Sequence, residues 1–182
     1  EWFKYSGKPH ENYGNDAMRL LAQVTKMAHL SVLEHVSFTF GIRGVSRSLL
    51  AQLTRHRVGF SYSVQSQRYV SFDEKNPFKF VTPPSIKNDK PARGIYKQVM
   101  RDIQKAYSQL KEIGIPAEDA RYLLPNSALT NVTITCNLRA FIDLYNKRSI
   151  KQAQWEIREM VEKMRDVIVK EIPDMEYLIE KK

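Results

Sequence analysis

Apolar and polar residues alternate strictly over residues 36–43, and this alternation is the clearest structural signal in the chain. Every second position from Val36 to Ile42 carries an apolar side chain, and small or polar residues stand between them. Because successive side chains of a β-strand point to opposite faces, this period predicts a strand with one buried face. Gly44 is predicted to end the strand, and Ser46 to cap a short helix directly after it.

Helical spacing of apolar residues accounts for most of the remaining chain. One such stripe runs from Ile95 to Leu110, between Pro91, a favourable first helical residue, and Gly114, a favourable stop. The other predicted helices rest on the same spacing. They are residues 16–28, the segment with Leu49, Leu50 and Leu53, a short helix between Pro116 and Pro125, the segment around Phe141–Tyr145, and a long helix from about Ser149 to Ile172.

Three further segments are predicted to be strands, and one is predicted to be a loop. Alternation over residues 132–136 indicates a strand, and shorter strands are expected near residues 68–72 and 78–80. Residues 58–70 mix serine, glutamine, glycine and aromatic residues without a helical period. We therefore expect a loop there, leading into the strand at 68–72.

Length and composition fit one domain, predicted to span residues 1–182 with an incomplete N-terminus, since the chain opens at Glu1 rather than Met. The predicted fold class is α+β, with a mostly antiparallel sheet packed by long helices. No apolar run approaches the roughly 20 residues of a membrane helix. The single cysteine, Cys136, excludes an intrachain disulfide and a cysteine-rich zinc site, and it is typical of a reducing cytoplasm.

Several standard site motifs do not occur in the sequence. It has no Gly-rich phosphate loop of the form G-x-G-x-x-G, and Gly59–Ser63 does not match the G-x-S-x-G nucleophile elbow. His29, Glu34 and His35 approach the H-x-x-E-H zinc motif. However, Ser31 holds the first position of that motif and the strand begins near His35, so no metal site is predicted.

The net charge of +9 indicates anionic partners, and one segment concentrates the residues that would bind them. Arg55–Arg57 stand at the end of the short helix, and the polar cluster Ser66–Arg68 follows one loop later. Arginine binds phosphate through paired hydrogen bonds and serine adds a hydroxyl donor, so a nucleotide phosphate would fit here. Two alternatives remain open at this point. One is a solvated basic helix end, and the other is a nucleic-acid-binding module whose aromatic residues stack on bases.

The same segment resembles a known family signature. Arg55–Arg57, eight intervening residues and then Ser66–Tyr69 are similar to the R-H-R motif and its following serine in the flavin-dependent thymidylate synthases. Four other segments resemble the family in the same order and spacing, which favours it over a nucleic-acid-binding module. They are His29–His35, Arg121–Pro125, Asn137–Arg139 and Arg148–Arg158.

The resemblance implies an enzyme that methylates dUMP to dTMP, with methylenetetrahydrofolate as carbon donor and FAD, reduced by NADPH, as hydride donor. It implies a cytoplasmic homotetramer with sites between subunits, and neither nucleic acid nor membrane as partner. Arg148 is implied to be catalytic by polarising the uracil ring. The implied dUMP-binding residues are Gln52, Gln65, Ser66, Arg68, Arg121 and Arg148, and the implied FAD-contacting residues are Ser31, Arg55, His56, Arg57, Asn137, Arg139 and Asp143. A folate-independent flavoprotein on the same fold is the alternative among enzymes.

The sequence departs from the family pattern at three positions. Val64 stands where a glutamate is frequent, Asp143 where an asparagine is frequent, and Gln152 where a histidine is frequent. We also expect no covalent bond between the protein and dUMP. Cys136 lies in an alternating strand, so it is predicted to be an apolar core residue with a raised thiol pKa, and Ser66 has no adjacent base.

Overall fold

The computed structural model describes residues 13–73 and 75–180, which group into two compact units. One unit holds the chain up to Phe38 and from Cys136 onward, and the other holds Thr39–Thr135. Helices and a small antiparallel sheet occur together, which confirms the predicted α+β class. None of the helices in the described ranges is both long and apolar enough to cross a membrane.

The sheet has three strands in the order β1-β3-β2, namely β1 (Ser37–Ser46), β2 (Phe60–Val64) and β3 (Leu129–Asn137). The predicted alternation is confirmed in both longer strands. In β1 the apolar positions up to Ile42 are half-buried and their neighbours are exposed, and in β3 every second residue from Thr130 to Cys136 is buried.

Three strand predictions were wrong in detail. Gly44 does not end β1, which continues to Ser46. Its φ of +74° is a left-handed conformation that glycine adopts readily within the strand. The predicted loop at 58–70 contains β2. The predicted strand at 68–72 is absent, because residues 67–69 form a turn and residues 70–72 are irregular. The strand expected at 78–80 is reduced to a single bridge between Phe80 and Ala128.

Capping residues mark the ends of the two main helices in the Thr39–Thr135 unit. Ser46 accepts a hydrogen bond from the Leu49 N–H (3.0 Å) and starts α2 (Arg47–Leu53) as predicted. Asp89 caps α4 (Lys90–Glu112), which follows α3 (Pro84–Asn88), and Gly114 stops α4 with a φ of +91°. The turns α5 (Ala117–Ala120) and the 3-10 helix Arg121–Leu123 come next.

The core of this unit shows that the predicted stripe on α4 was partly wrong. Met100 and Tyr107 are buried, whereas Ile95 and Val99 are exposed (69% and 45%). The face of α4 with Tyr96, Met100 and Ile103 instead packs in an aromatic cluster, and the Tyr96 hydroxyl also donates to the Val81 carbonyl (2.8 Å). That cluster comprises Phe72, Phe78, Phe80, Tyr96, Met100, Ile103, Leu124 and Ala128.

The other unit is mainly helical. It contains α1 (Tyr13–Lys26), the 3-10 helix Leu30–His35, α6 (Leu138–Arg148), α7 (Trp155–Glu171) and α8 (Met175–Ile179). The prediction that the last long helix begins at Ser149 was wrong. Instead, the Gln154 side-chain oxygen accepts from the backbone N–H groups of Glu156 (2.9 Å) and Ile157 (3.1 Å), and the helix begins after that cap.

Candidate functional site

The basic segment at the end of α2 is held by its backbone. The Tyr62 hydroxyl lies 2.6 Å from the carbonyl oxygen of His56 and 3.0 Å from that of Leu53. Gly59 has a φ of +76°, which suits the turn closed by the bond from the Phe60 N–H to the Arg57 carbonyl (3.3 Å). These contacts fix the turn without using guanidinium groups, so the exposed side chains of the segment are presented to solvent.

A corner formed by Gln65 and Ser66 follows β2. The Gln65 N–H donates to the Asn131 carbonyl (2.9 Å), and its own carbonyl accepts from Arg47 Nη2 (2.8 Å). The Gln65 side chain is held as well, since its Oε1 accepts from Asn131 Nδ2 (2.7 Å). Gln65 and Ser66 line a cavity of about 330 Å³ whose wall also includes Arg47 and Lys79. The corner is therefore held in place beside a cavity whose wall is positively charged.

Two arginines meet at Glu118. Arg68 Nε donates to Glu118 Oε2 (3.1 Å), Arg68 Nη2 lies 3.0 Å from the same oxygen in an ion pair, and both side chains remain about half exposed. Arg121 Nε donates to the Glu118 carbonyl (3.0 Å). The Ser66 hydroxyl oxygen accepts from the Arg68 N–H (3.2 Å), which orders the start of this turn.

Burial and nearby positive charge both affect the pKa of Arg47, which lies beside the corner. The pKa of Arg47 is lowered from its usual value, first by burial and then by the positive charge of Arg121. The corner, Arg68 and Arg121 thus form a donor-rich surface suited to an anion.

The helical unit holds a second group of predicted residues. Ser31 is exposed in the 3-10 helix Leu30–His35, which packs against α6. Glu34 of the same helix accepts from Arg139 Nη1 (2.6 Å) at the first turn of α6. Asn137 caps α6, with its Oδ1 accepting from the Ala140 N–H (2.8 Å), so its amide nitrogen is left to donate elsewhere. Ser31, Asn137 and Arg139 therefore belong to one pair of packed helices.

Asp143 and Arg148 lie further along α6. Asp143 forms an i,i+4 ion pair with Lys147 (2.8 Å), both largely exposed. Arg148 is the last residue of the helix and is half-buried.

The predicted dUMP residues lie mostly in one unit. Gln65, Ser66, Arg68 and Arg121 are linked by the contacts above, and Gln52 is half-buried on α2, outside this network. The predicted FAD residues divide between the units, with Arg55, His56 and Arg57 in one and Ser31, Asn137, Arg139 and Asp143 in the other.

Sequence reasoning missed three residues that organise the site: Arg47, Glu118 and Asn131. Glu118 precedes Arg121 by three residues, so helical spacing could have suggested their proximity. No local signal points to Arg47 or Asn131, whose partner Gln65 is 18 and 66 residues away.

Cys136 is confirmed as a core residue. It is 1% exposed, and burial raises its pKa to about 12. Within the described ranges, no group of three or more histidine, cysteine, aspartate or glutamate residues could hold a metal ion.

A known protein family matches nearly the whole chain. A family described as thymidylate synthase complementing protein matches residues 3–174. A flavin-dependent thymidylate synthase of Geobacter sulfurreducens is 43% identical over 150 residues, covering 82% of this chain and 64% of the relative. Proteins of the same name from Pyrococcus furiosus (39% identity, 93% of this chain, 70% of the relative) and Halobacterium salinarum (38%, 85% and 71%) are also similar. The chain thus spans about two thirds of the length of these relatives, and the family match includes every site residue described above.

Proposed function

The chain belongs to the flavin-dependent thymidylate synthases, and from this premise we propose that it methylates dUMP to dTMP. Methylenetetrahydrofolate would be the carbon donor, and FAD, re-reduced by NADPH, the hydride donor. The observation that carries the proposal is the donor-rich corner at Gln65–Arg68, within a chain that matches the family from residue 3 to residue 174.

Binding of dUMP is assigned to residues of the Thr39–Thr135 unit, and Arg148 is assigned to it from the family resemblance alone. Arg68 and Ser66 would hold the phosphate, because a guanidinium and a hydroxyl are donors suited to a phosphate oxygen. The half-exposed bond to Glu118 leaves Arg68 accessible, so a phosphate dianion would compete with that single carboxylate. Gln52, Gln65 and Arg121 complete the proposed nucleotide set.

The residues proposed for FAD fit a polyanionic cofactor well at most positions. Arg55 and Arg57 are exposed, and within the described ranges neither has an ion pair, so both can meet a pyrophosphate. Asn137 keeps an amide donor beyond its capping bond, and Arg139 is half exposed. Ser31 and His56 complete the set, which resembles the family pattern.

Asp143 fits this set least well. Its carboxylate would repel a pyrophosphate, and Lys147 already holds it. Its assignment to the cofactor rests on position in the family pattern and not on its chemistry.

Bound FAD would supply the hydride, while this chain's own residues bind, orient and polarise dUMP. Uracil C5 is a weak nucleophile, and a positive charge at the ring edge stabilises the negative charge that develops as C5 attacks the folate methylene. We assign that role to Arg148. No side chain is proposed to bond covalently to dUMP. Cys136, the single thiol of the chain, is buried with a raised pKa, so its thiolate is scarce at neutral pH.

A cytoplasmic homotetramer with sites between subunits is proposed from the family resemblance. Neither nucleic acid nor a membrane is proposed as a partner. A nucleic-acid-binding module built on the Arg55–Arg68 segment would need none of the matched segments that follow Arg121.

The visible absorption spectrum of the purified protein tests the flavin part of the proposal. We expect a yellow protein that releases FAD on denaturation. A colourless protein that also takes up no added FAD would end the flavoenzyme assignment. Binding of single-stranded DNA in its place would favour the nucleic-acid alternative.

A further inference from the structure

A chain of hydrogen bonds determines which end of the Gln65 side chain faces outward. The Gly44 backbone N–H lies 3.1 Å from the Asn131 side chain, and a backbone N–H can only donate, so the oxygen of Asn131 must face it. The nitrogen of Asn131 therefore faces Gln65, at 2.7 Å. Because an amide nitrogen also only donates, Gln65 must turn its oxygen inward. The outward group of Gln65 is then its NH2.

The backbone around Gln65 is held just as firmly. Its N–H and carbonyl are bonded to Asn131 and Arg47, so the side chain starts from a fixed point. Within residues 13–73 and 75–180, the Gln65 NH2 group has no hydrogen-bond partner. The residue lines the cavity together with Ser66.

We propose that Asn131 is a positioning residue that makes Gln65 a donor-only contact for the substrate. Gln65 would then bind an oxygen acceptor of the nucleotide, either a uracil carbonyl or a phosphate oxygen, and would disfavour a donor such as an amino group. This inference rests on the proposed function, since it takes dUMP as the ligand of this corner.

Reversing the direction of the hydrogen bond between Asn131 and Gln65 tests this proposal. In Asn131→Asp the carboxylate still accepts from Gly44, but it can no longer donate to Gln65. Gln65 is expected to rotate, donate to the aspartate and turn its oxygen toward the ligand. Gln65→Glu reaches the same end without altering Asn131, because a carboxylate presents acceptors only.

Thr133→Asp is the matched control for charge. Thr133 is exposed, and it lies two residues further along the same face of β3, beside Gln65. The substitution therefore adds the same negative charge near the corner and leaves the hydrogen bond between Asn131 and Gln65 unaltered.

The measurements are the Kd of dUMP and of deoxyuridine by calorimetry, the KM for dUMP, kcat and FAD binding. Relative to Thr133→Asp, both Asn131→Asp and Gln65→Glu should weaken dUMP binding about tenfold and raise KM to match, since a donor is replaced by an opposing acceptor. FAD binding should change by less than about threefold. A disturbed fold would lower FAD binding as well.

The two ligands separate the two possible oxygens. Weakening seen with both dUMP and deoxyuridine supports a uracil carbonyl, and weakening with dUMP alone supports a phosphate oxygen. If Asn131→Asp and Gln65→Glu weaken dUMP binding no more than Thr133→Asp, Asn131 does not position Gln65 as a donor to the ligand. The proposed function would still stand. If the unaltered protein binds FAD but no dUMP, the proposed function itself fails.

Discussion

Removing the Arg68 guanidinium tests whether Arg68 binds the substrate or mainly stabilises the fold. In the structure Arg68 Nε donates a hydrogen bond to one oxygen of Glu118 (3.1 Å), Nη2 lies 3.0 Å from the same oxygen, and the Arg68 side chain is 53% exposed. A half-exposed ion pair of this kind contributes about 0–1 kcal/mol to stability. Arg68→Ala should therefore lower the free energy of unfolding by no more than about 1 kcal/mol.

The expected effect on dUMP is larger. A hydrogen bond from a charged donor to phosphate contributes about 1.5–3 kcal/mol, which corresponds to a roughly 10- to 150-fold rise in the Kd for dUMP. FAD is assigned to other arginines, so its Kd should change by less than about threefold. The contrast between the two ligands, and not either value by itself, identifies Arg68 as the phosphate contact.

Calorimetric titration with dUMP and with FAD, together with urea denaturation, makes the comparison. Arg101→Ala removes the same net charge from the exposed face of α4, where Arg101 bonds to Gln98, and it should leave both Kd values nearly unchanged. Arg68→Lys keeps the charge but loses the paired geometry, so its Kd for dUMP should be intermediate. Equal losses of dUMP and FAD binding, with a lower denaturation midpoint, would show that Arg68 shapes the fold instead.

Three further predictions follow from the same geometry. Glu118→Gln removes the carboxylate that competes with phosphate for Arg68, so the Kd for dUMP should fall by up to about fivefold in the same titration, and a rise would mean that Glu118 helps to bind nucleotide. At pH 8 a thiol with a pKa of about 12 is ionised in about one molecule in ten thousand. Cys136 in the native protein should thus resist a thiol reagent that labels it quickly in urea, and Cys136→Ala should keep dTMP formation within about an order of magnitude, whereas rapid native labelling or a mass-detected dUMP adduct would contradict the assignment. Arg148→Ala should lower kcat by about 100-fold or more while the circular dichroism spectrum stays unchanged, and a variant that turns over normally would remove Arg148 from the proposed chemistry.

How far the sequence predicts this fold depends on how local each signal is. The alternation in β1 and β3 is local and strong, because one face of each strand is buried, and both strands lie where the pattern placed them. The start of α7 is also set locally, but by a side-chain cap and not by the spacing of apolar residues. Residues 149–154 could continue the helical pattern, but the Gln154 side chain caps the backbone N–H groups and sets the true start.

The stripe on α4 illustrates a second limit. Spacing of three and four identifies an apolar face without saying which turn meets the core. Tyr96 and Met100 pack against the aromatic cluster, so Ile95 and Val99, one position earlier, point outward.

For the candidate site, the sequence predicted residues better than it predicted their partners. Gln65, Ser66 and Arg68 are neighbours in the chain and share a recognisable motif. Their partners Asn131 and Glu118 are 50 or more residues away, and only the pairing of β2 with β3 and the position of α5 bring them close. Contacts made by tertiary packing leave no period or motif to find.

The most direct test of the account is a turnover assay with dUMP tritiated at C5. The protein is supplied with FAD, methylenetetrahydrofolate and NADPH, and both tritium release and dTMP are measured. We predict stoichiometric tritium release and dTMP formation that require all three additions. A protein that binds FAD and dUMP yet forms no dTMP, or one whose dTMP formation persists without flavin, would contradict the account.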